Sequence, residues 1–106
     1  MKNLCKVMLG VMVFALAVST FSVAQSGGDT FKAKCAMCHG ADGKGDTAMG
    51  KTLKLRDLGS ADVQKQSDAD LTGIITNGKD KMPKYDGKLT KDQISDVVKF
   101  VRTLKH

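Results

Sequence analysis

The chain has no tryptophan and no glutamate, one proline, and only four phenylalanines and one tyrosine among its 106 residues. A length of this order holds at most one domain. A core so short of rings needs something other than large side chains at its centre. Apolar and polar residues nowhere alternate over the length of a strand, which argues against a sheet and for an all-α fold with long loops. Histidine is scarce as well: there are two, and His106 is the last residue. That leaves no separate base to pair with a nucleophilic cysteine. The basic surplus has no arginine-rich run and no aromatic stacking platform beside it, so no nucleic acid is expected as a partner.

What the chain does have begins with a leader. Lys2 and Lys6 make a positive start, residues 7–18 are apolar apart from Gly10, and Ser22-Val23-Ala24 supplies small residues where a signal peptidase reads them. The pattern predicts a secretory signal peptide over residues 1–24 and a mature domain over residues 25–106. An uncleaved anchor is the alternative. A spanning helix needs about 20 apolar residues, however, and Ser19, Thr20 and Ser22 interrupt this one, so no permanent membrane insertion is expected after cleavage. Cys5 precedes the apolar stretch, whereas a lipid-bearing cysteine follows it; it leaves with the leader. Losing Lys2 and Lys6 takes 17 basic residues to 15 against 11 aspartates, a net charge of +4, on a chain of 82 residues. A domain that small usually relies on a disulfide, a metal or a cofactor.

Three capping patterns mark helices. Ser26 with Asp29 opens one that runs through Phe31 toward Cys35, and Ser67 with Asp70 opens a second, on which Leu71, Ile74 and Ile75 share a face until Asn77-Gly78. Thr90 with Gln93 opens a third, in which Ile94, Val97, Val98, Val101 and Leu104 recur at steps of three and four, with Phe100 widening the stripe. The stretch "GADGKGDTAMGK" after His39 and the stretch "KDKMPKYDGK" are loops by composition. Leu53, Leu55 and Leu58 follow no helical period and are placed to line something apolar.

The chemistry concentrates in Cys35-Ala36-Met37-Cys38-His39. A redox-active pair of cysteines at this spacing sits at a strand-to-helix junction, and no strand is expected. Structural zinc wants about four ligands in a closed tetrahedron, but the mature chain offers only Cys35, Cys38, His39 and His106, with Cys38 and His39 adjacent. Covalent haem uses all three motif residues together: two thiols bond two vinyl groups on one edge of the ring, and the following histidine ligates iron. This spacing is the attachment signature for such a haem. An exported chain is consistent with it, because the thiols are capped in an oxidising compartment. Histidine takes one face of the iron, and a thioether on the other would give a substitution-resistant centre of raised potential. Chain length leaves Met82 and Met49 as candidates, with Met82 having ample chain to return on the opposite face.

A motif near the N-terminus, a glycine-rich loop behind it, a late Met-Pro loop ("KMPKY") and an amphipathic C-terminal helix, in that order, resemble the class I cytochrome c family over essentially all of residues 26–106. The resemblance implies about four short helices and long loops wrapped around one haem c. Cys35 and Cys38 would be its thioether positions, and His39 and Met82 the axial ligands of its iron. It also implies crossed terminal helices, with Phe31 meeting Phe100 and Val97. Relatives carry a proline some ten residues past the motif, whose carbonyl accepts a bond from the free ring nitrogen of the axial histidine; this chain has Ala48, Met49 and Gly50 there. Leu53, Leu55, Leu58, Leu71, Ile74 and Ile75 would cover the porphyrin, and Tyr85 or Arg56 would be within reach of a propionate. Lys79, Lys81, Lys84 and Lys88, with Lys32 and Lys34 adding to the rim, would steer redox partners that have an acidic docking face. The expected function is one-electron transfer by a non-enzymatic carrier in the periplasm or another extracytoplasmic space. Its rivals are a haem subunit permanently docked in a larger oxidoreductase, and an open-site peroxidase or gas-binding protein should Met82 not be a ligand.

Overall fold

The computed structural model describes residues 23–106; of the leader expected over residues 1–24, residues 1–22 lie outside them. The first helix, α1, is Val23–Lys34. It does not start at Ser26 as the capping pattern suggested, since Ser26 and Asp29 both sit inside it. The reason lies across the fold: Gly27 and Gly28 present a bare strip of backbone to the last helix. A Cβ on Gly27 would come within 2.6 Å of the Asp96 carbonyl carbon. Tertiary packing, rather than an N-terminal cap, holds the first turns of α1 in place.

Five more helices follow. α2 (Ala36–His39) is one turn that ends at Gly40, whose φ of 81° turns the chain away. α3 (Ala48–Leu53) is capped by Thr47 and stops at Lys54 in the left-handed region. α4 (Ala61–Gln64) is another single turn. α5 (Asp68–Asn77) starts from the Ser67 hydroxyl, which accepts from the Asp70 amide, and ends at Gly78. α6 (Lys91–Thr103) begins with the reciprocal Thr90–Gln93 capping box. The described residues hold six helices where about four were expected, because α3 and α4 are too short to carry a readable period. Among the described residues there are no strands, only the isolated bridges Lys79–Met82 and Asp86–Leu89.

α6 supplies half of the core. Its buried Ile94, Val97, Val98 and Val101 meet Phe31 from α1, Val63 from α4, and Leu71 and Ile75 from α5. The Phe31 and Phe100 rings lie 5.0 Å apart and tilted by 44°, within the range where aromatic pairs attract. The terminal helices therefore cross as the resemblance implied. Arg102 ties α6 to the α4–α5 connection. Its Nη1 donates to the Gln64 carbonyl at 2.9 Å, its Nη2 to the Gln66 carbonyl at 2.6 Å, and its Nε to Asp68 at 3.0 Å. At the far end the His106 amide donates to the Gly59 carbonyl and its ring meets Asp57 at 2.7 Å.

Candidate functional site

The motif hangs from the end of α1. Cys35 continues the helical bonding, its amide donating to the Phe31 carbonyl at 2.8 Å, and α2 then carries Cys38 and His39. Beneath them opens a cavity of about 310 Å³, at the lower end of the size range of small-molecule sites. Cys35, His39 and Met82 all line it, and so do all six aliphatic residues expected to cover a ring: Leu53, Leu55, Leu58, Leu71, Ile74 and Ile75. Phe31, Val97, Val98 and Val101 close it from the core side. Cys38 is half-buried in the same turn but does not itself line the wall.

The three methionines of the described residues separate clearly. Met82 is partly buried against the core. Met49 is 48% exposed and Met37 82% exposed, and neither reaches the cavity. The Met82 loop is held at both ends. Lys79 and Met82 exchange backbone bonds of 2.9 and 3.2 Å, while the Tyr85 and Asp86 amides donate to the carbonyls of Ile75 and Thr76 on α5. The Tyr85 hydroxyl donates to the Lys34 carbonyl at 2.9 Å, one residue before Cys35. That bond commits Tyr85, which is absent from the cavity wall; Arg56 lies in the wall and has no ion-pair partner among the described residues.

Burial governs the titratable groups. It pushes the Cys35 thiol up to about 11, with Cys38 adding to the effect, so Cys35 is a neutral thiol at ordinary pH. It lowers His39, which keeps the imidazole neutral with a lone pair to offer. His39 Nδ1 is buried with no hydrogen-bond partner among the described residues. Of the residues that stand where relatives carry a proline, the Ala48 carbonyl accepts from the Thr52 hydroxyl and the Gly50 carbonyl from the Leu55 amide. Residues 48–50 form the first turn of α3.

Sequence reasoning missed the segment that grips the motif. The Thr47 hydroxyl donates to the Cys38 carbonyl at 2.6 Å and accepts from the Gly50 amide at 2.9 Å, and the Gly45 amide donates to the His39 carbonyl at 2.8 Å. The only sequence signal was a threonine in capping position, without the glutamate or glutamine that completes a capping box. Lys54, Gln66 and Asp80 also line the cavity. Lys79 and Lys81 stand at its edge, while Lys84 and Lys88 are exposed nearby, Lys88 5.9 Å above the Tyr85 ring.

These residues fit a flat, largely apolar macrocycle holding a metal. The free Cys35 thiol, a neutral imidazole with an unused buried nitrogen and a thioether line the same cavity, the free Cys38 thiol stands in the adjoining turn, and aliphatic walls exclude water. Comparison with known proteins points the same way. Residues 22–101 match the family model described as cytochrome c oxidase, cbb3-type, subunit III. A cytochrome c6 from Nostoc sp. (strain PCC 7120) is 39% identical over 101 residues, covering 90% of this chain and 86% of that protein. The cytochrome c6 of Leptolyngbya boryana is 41% identical over 78 residues, covering 74% and 88%. The solved structure of KustC0563 c-type cytochrome superposes with a TM-score of 0.70 at 32% identity, covering 76% of this chain and 98% of that one.

Proposed function

The chain belongs to the class I cytochrome c family, with covalently bound haem c and its iron as cofactor, and from that premise we propose that it is an electron carrier whose haem is held by Cys35, Cys38, His39 and Met82. The observation that supports these residues is that Cys35, His39 and Met82 line one apolar cavity while Met37 and Met49 are turned to solvent. Bound there, the haem supplies a one-electron ferric–ferrous couple.

Each residue has a separate task. Cys35, at the N-cap of α2, and Cys38, within it, would hold the haem covalently through their thiols. His39 would offer a neutral imidazole to the iron. Met82 would bring a soft thioether sulfur, a ligand type that raises the reduction potential. The leucine and isoleucine walls keep water away, which favours the oxidation state of lower net charge. The loop carrying Met82 is tied to α5 and α1, so little need move as the charge changes. A rim of Lys79 and Lys81 is suited to transient encounters with partners that have an acidic face, outside the cytoplasm. This is a carrier rather than a catalyst.

Carbon monoxide tests the assignment. The haem-loaded wild type, reduced, is expected to leave it unbound, and Met82→Ala to bind it; ready binding by the wild type, or opening by Met49→Ala instead, overturns the ligand set. A second reading, a haem subunit docked permanently in an oxidoreductase, is favoured by the oxidase-subunit description of the matching family model. It predicts co-purification with a larger complex that survives high salt.

A further inference from the structure

We propose that Thr47 is the positioning residue for His39, fixing the direction from which the imidazole meets the ring; this rests on the reading of His39 as an axial ligand. A helix of one turn leaves its last carbonyls without partners inside the helix. In α2 these include the carbonyls of Cys38 and His39, which belong to the two peptide planes flanking the His39 Cα. The Thr47 hydroxyl takes the first at 2.6 Å and the Gly45 amide takes the second at 2.8 Å. Both planes are thereby pinned to one short segment, which fixes φ and ψ of His39 and so the direction of its Cα–Cβ bond.

Thr47 is itself held firmly. It is the N-cap of α3, with φ −73° and ψ 163°; its hydroxyl accepts from the Gly50 amide while its carbonyl accepts from the Lys51 amide at 2.9 Å. Gly50 lies so close beneath that a Cβ there would come 2.7 Å from the Cys38 carbonyl oxygen. A single hydroxyl thus joins the end of the haem-binding turn to the start of the next helix, as donor to one and acceptor to the other. An axial histidine is ordinarily oriented by a bond from its second ring nitrogen. His39 Nδ1 has no such partner among the described residues; the restraint they do provide is the clamp on the two flanking peptide planes.

The test compares haem-loaded wild type, Thr47→Val and Thr47→Ser. In the ferric protein the paramagnetically shifted haem methyl resonances report the plane of the axial imidazole, which a mere loss of stability does not rotate. Thr47→Val is expected to change the order or spread of these resonances, and Thr47→Ser, which keeps the hydroxyl, to restore the wild-type pattern. A Thr47→Val pattern superimposable on wild type overturns the proposal, as does an equal change in both variants. If Thr47→Val gives too little holoprotein, Thr47→Ala makes the same deletion and is judged by the same two outcomes. A wild-type spectrum without low-spin histidine ligation removes the axial reading and this proposal together. A normal wild type with an unmoved Thr47→Val removes this proposal alone.

Discussion

Replacing Gly27 with alanine probes the joint on which the cavity depends. The added Cβ would lie 2.6 Å from the Asp96 carbonyl carbon, closer still to its oxygen, and 3.2 Å from the Val97 amide nitrogen. All three are backbone atoms of α6 and cannot swing aside. Favourable carbon contacts lie near ~3.5 Å, so α1 and α6 must part by roughly 0.9 Å along that line. Overpacking of this kind costs about 1–3 kcal/mol. Alanine recovers about 0.5–1 kcal/mol because it is less flexible than glycine in the unfolded chain. Since the opposing backbone atoms cannot yield, the upper part of the overpacking range, about 2–3 kcal/mol, applies, and the net loss should be about 1–2.5 kcal/mol, or about 4–20 °C in midpoint for a domain of this size. Thermal unfolding of the holoprotein, followed by helical circular dichroism, measures it. Gly28→Ala is the control: its Cβ would touch only the edge of the Phe100 ring at 3.3 Å, and a ring can tilt. A Gly27→Ala protein as stable as wild type, or less affected than Gly28→Ala, refutes the close-approach argument. Phe31 and Val97 wall the cavity from these two helices, so the same variant should also loosen the haem surroundings and broaden its absorption bands.

The other expectations concern charge. Asp57 is held below the usual carboxylate range, chiefly by the Gly59 amide and then by His106. A carboxylate depressed in the fold stabilises it above the unfolded value, near 3.9, and loses that effect as pH falls through the folded value. Asp57→Asn should therefore be less stable than wild type at neutral pH, with the gap closing in acid; denaturant midpoints at pH 7 and pH 3 decide it, and a gap that widens in acid rejects the pairing. Changing Lys79 and Lys81 together to alanine should slow electron transfer with an acidic redox partner at low ionic strength. In stopped-flow traces the difference should shrink as added salt shortens the screening length toward ~8 Å; a salt-independent difference argues against steering.

How much of this was legible in the sequence depended on the range of the interaction. Thr90–Gln93, Ser67 and the Asn77-Gly78 stop were readable because each is settled within four residues, and the structure has them where the pattern put them. The apolar wall was readable from the leucine spacing together with the family resemblance. Ser26 misled because a local capping signal lost to a contact nearly seventy residues away: Gly27 against Asp96. A partner for the free ring nitrogen of His39 was not legible for a related reason, since residues 48–50 lie in a helix too short to leave a period. Thr47 was invisible because nothing in a lone threonine announces which carbonyl its hydroxyl will find.

The loop from Gly78 to Tyr85 has fixed ends and a free middle. Its exits are bonded to Ile75, Thr76 and Lys34 through backbone or tyrosine groups, whereas the side chains of Asp80, Lys81 and Lys84 are exposed. Exchanging the charge at Lys84, which is exposed and off the cavity wall, changes the surface a partner meets without touching a residue that lines the cavity with Met82. A carrier built this way can change the company it keeps while its redox centre stays as it was.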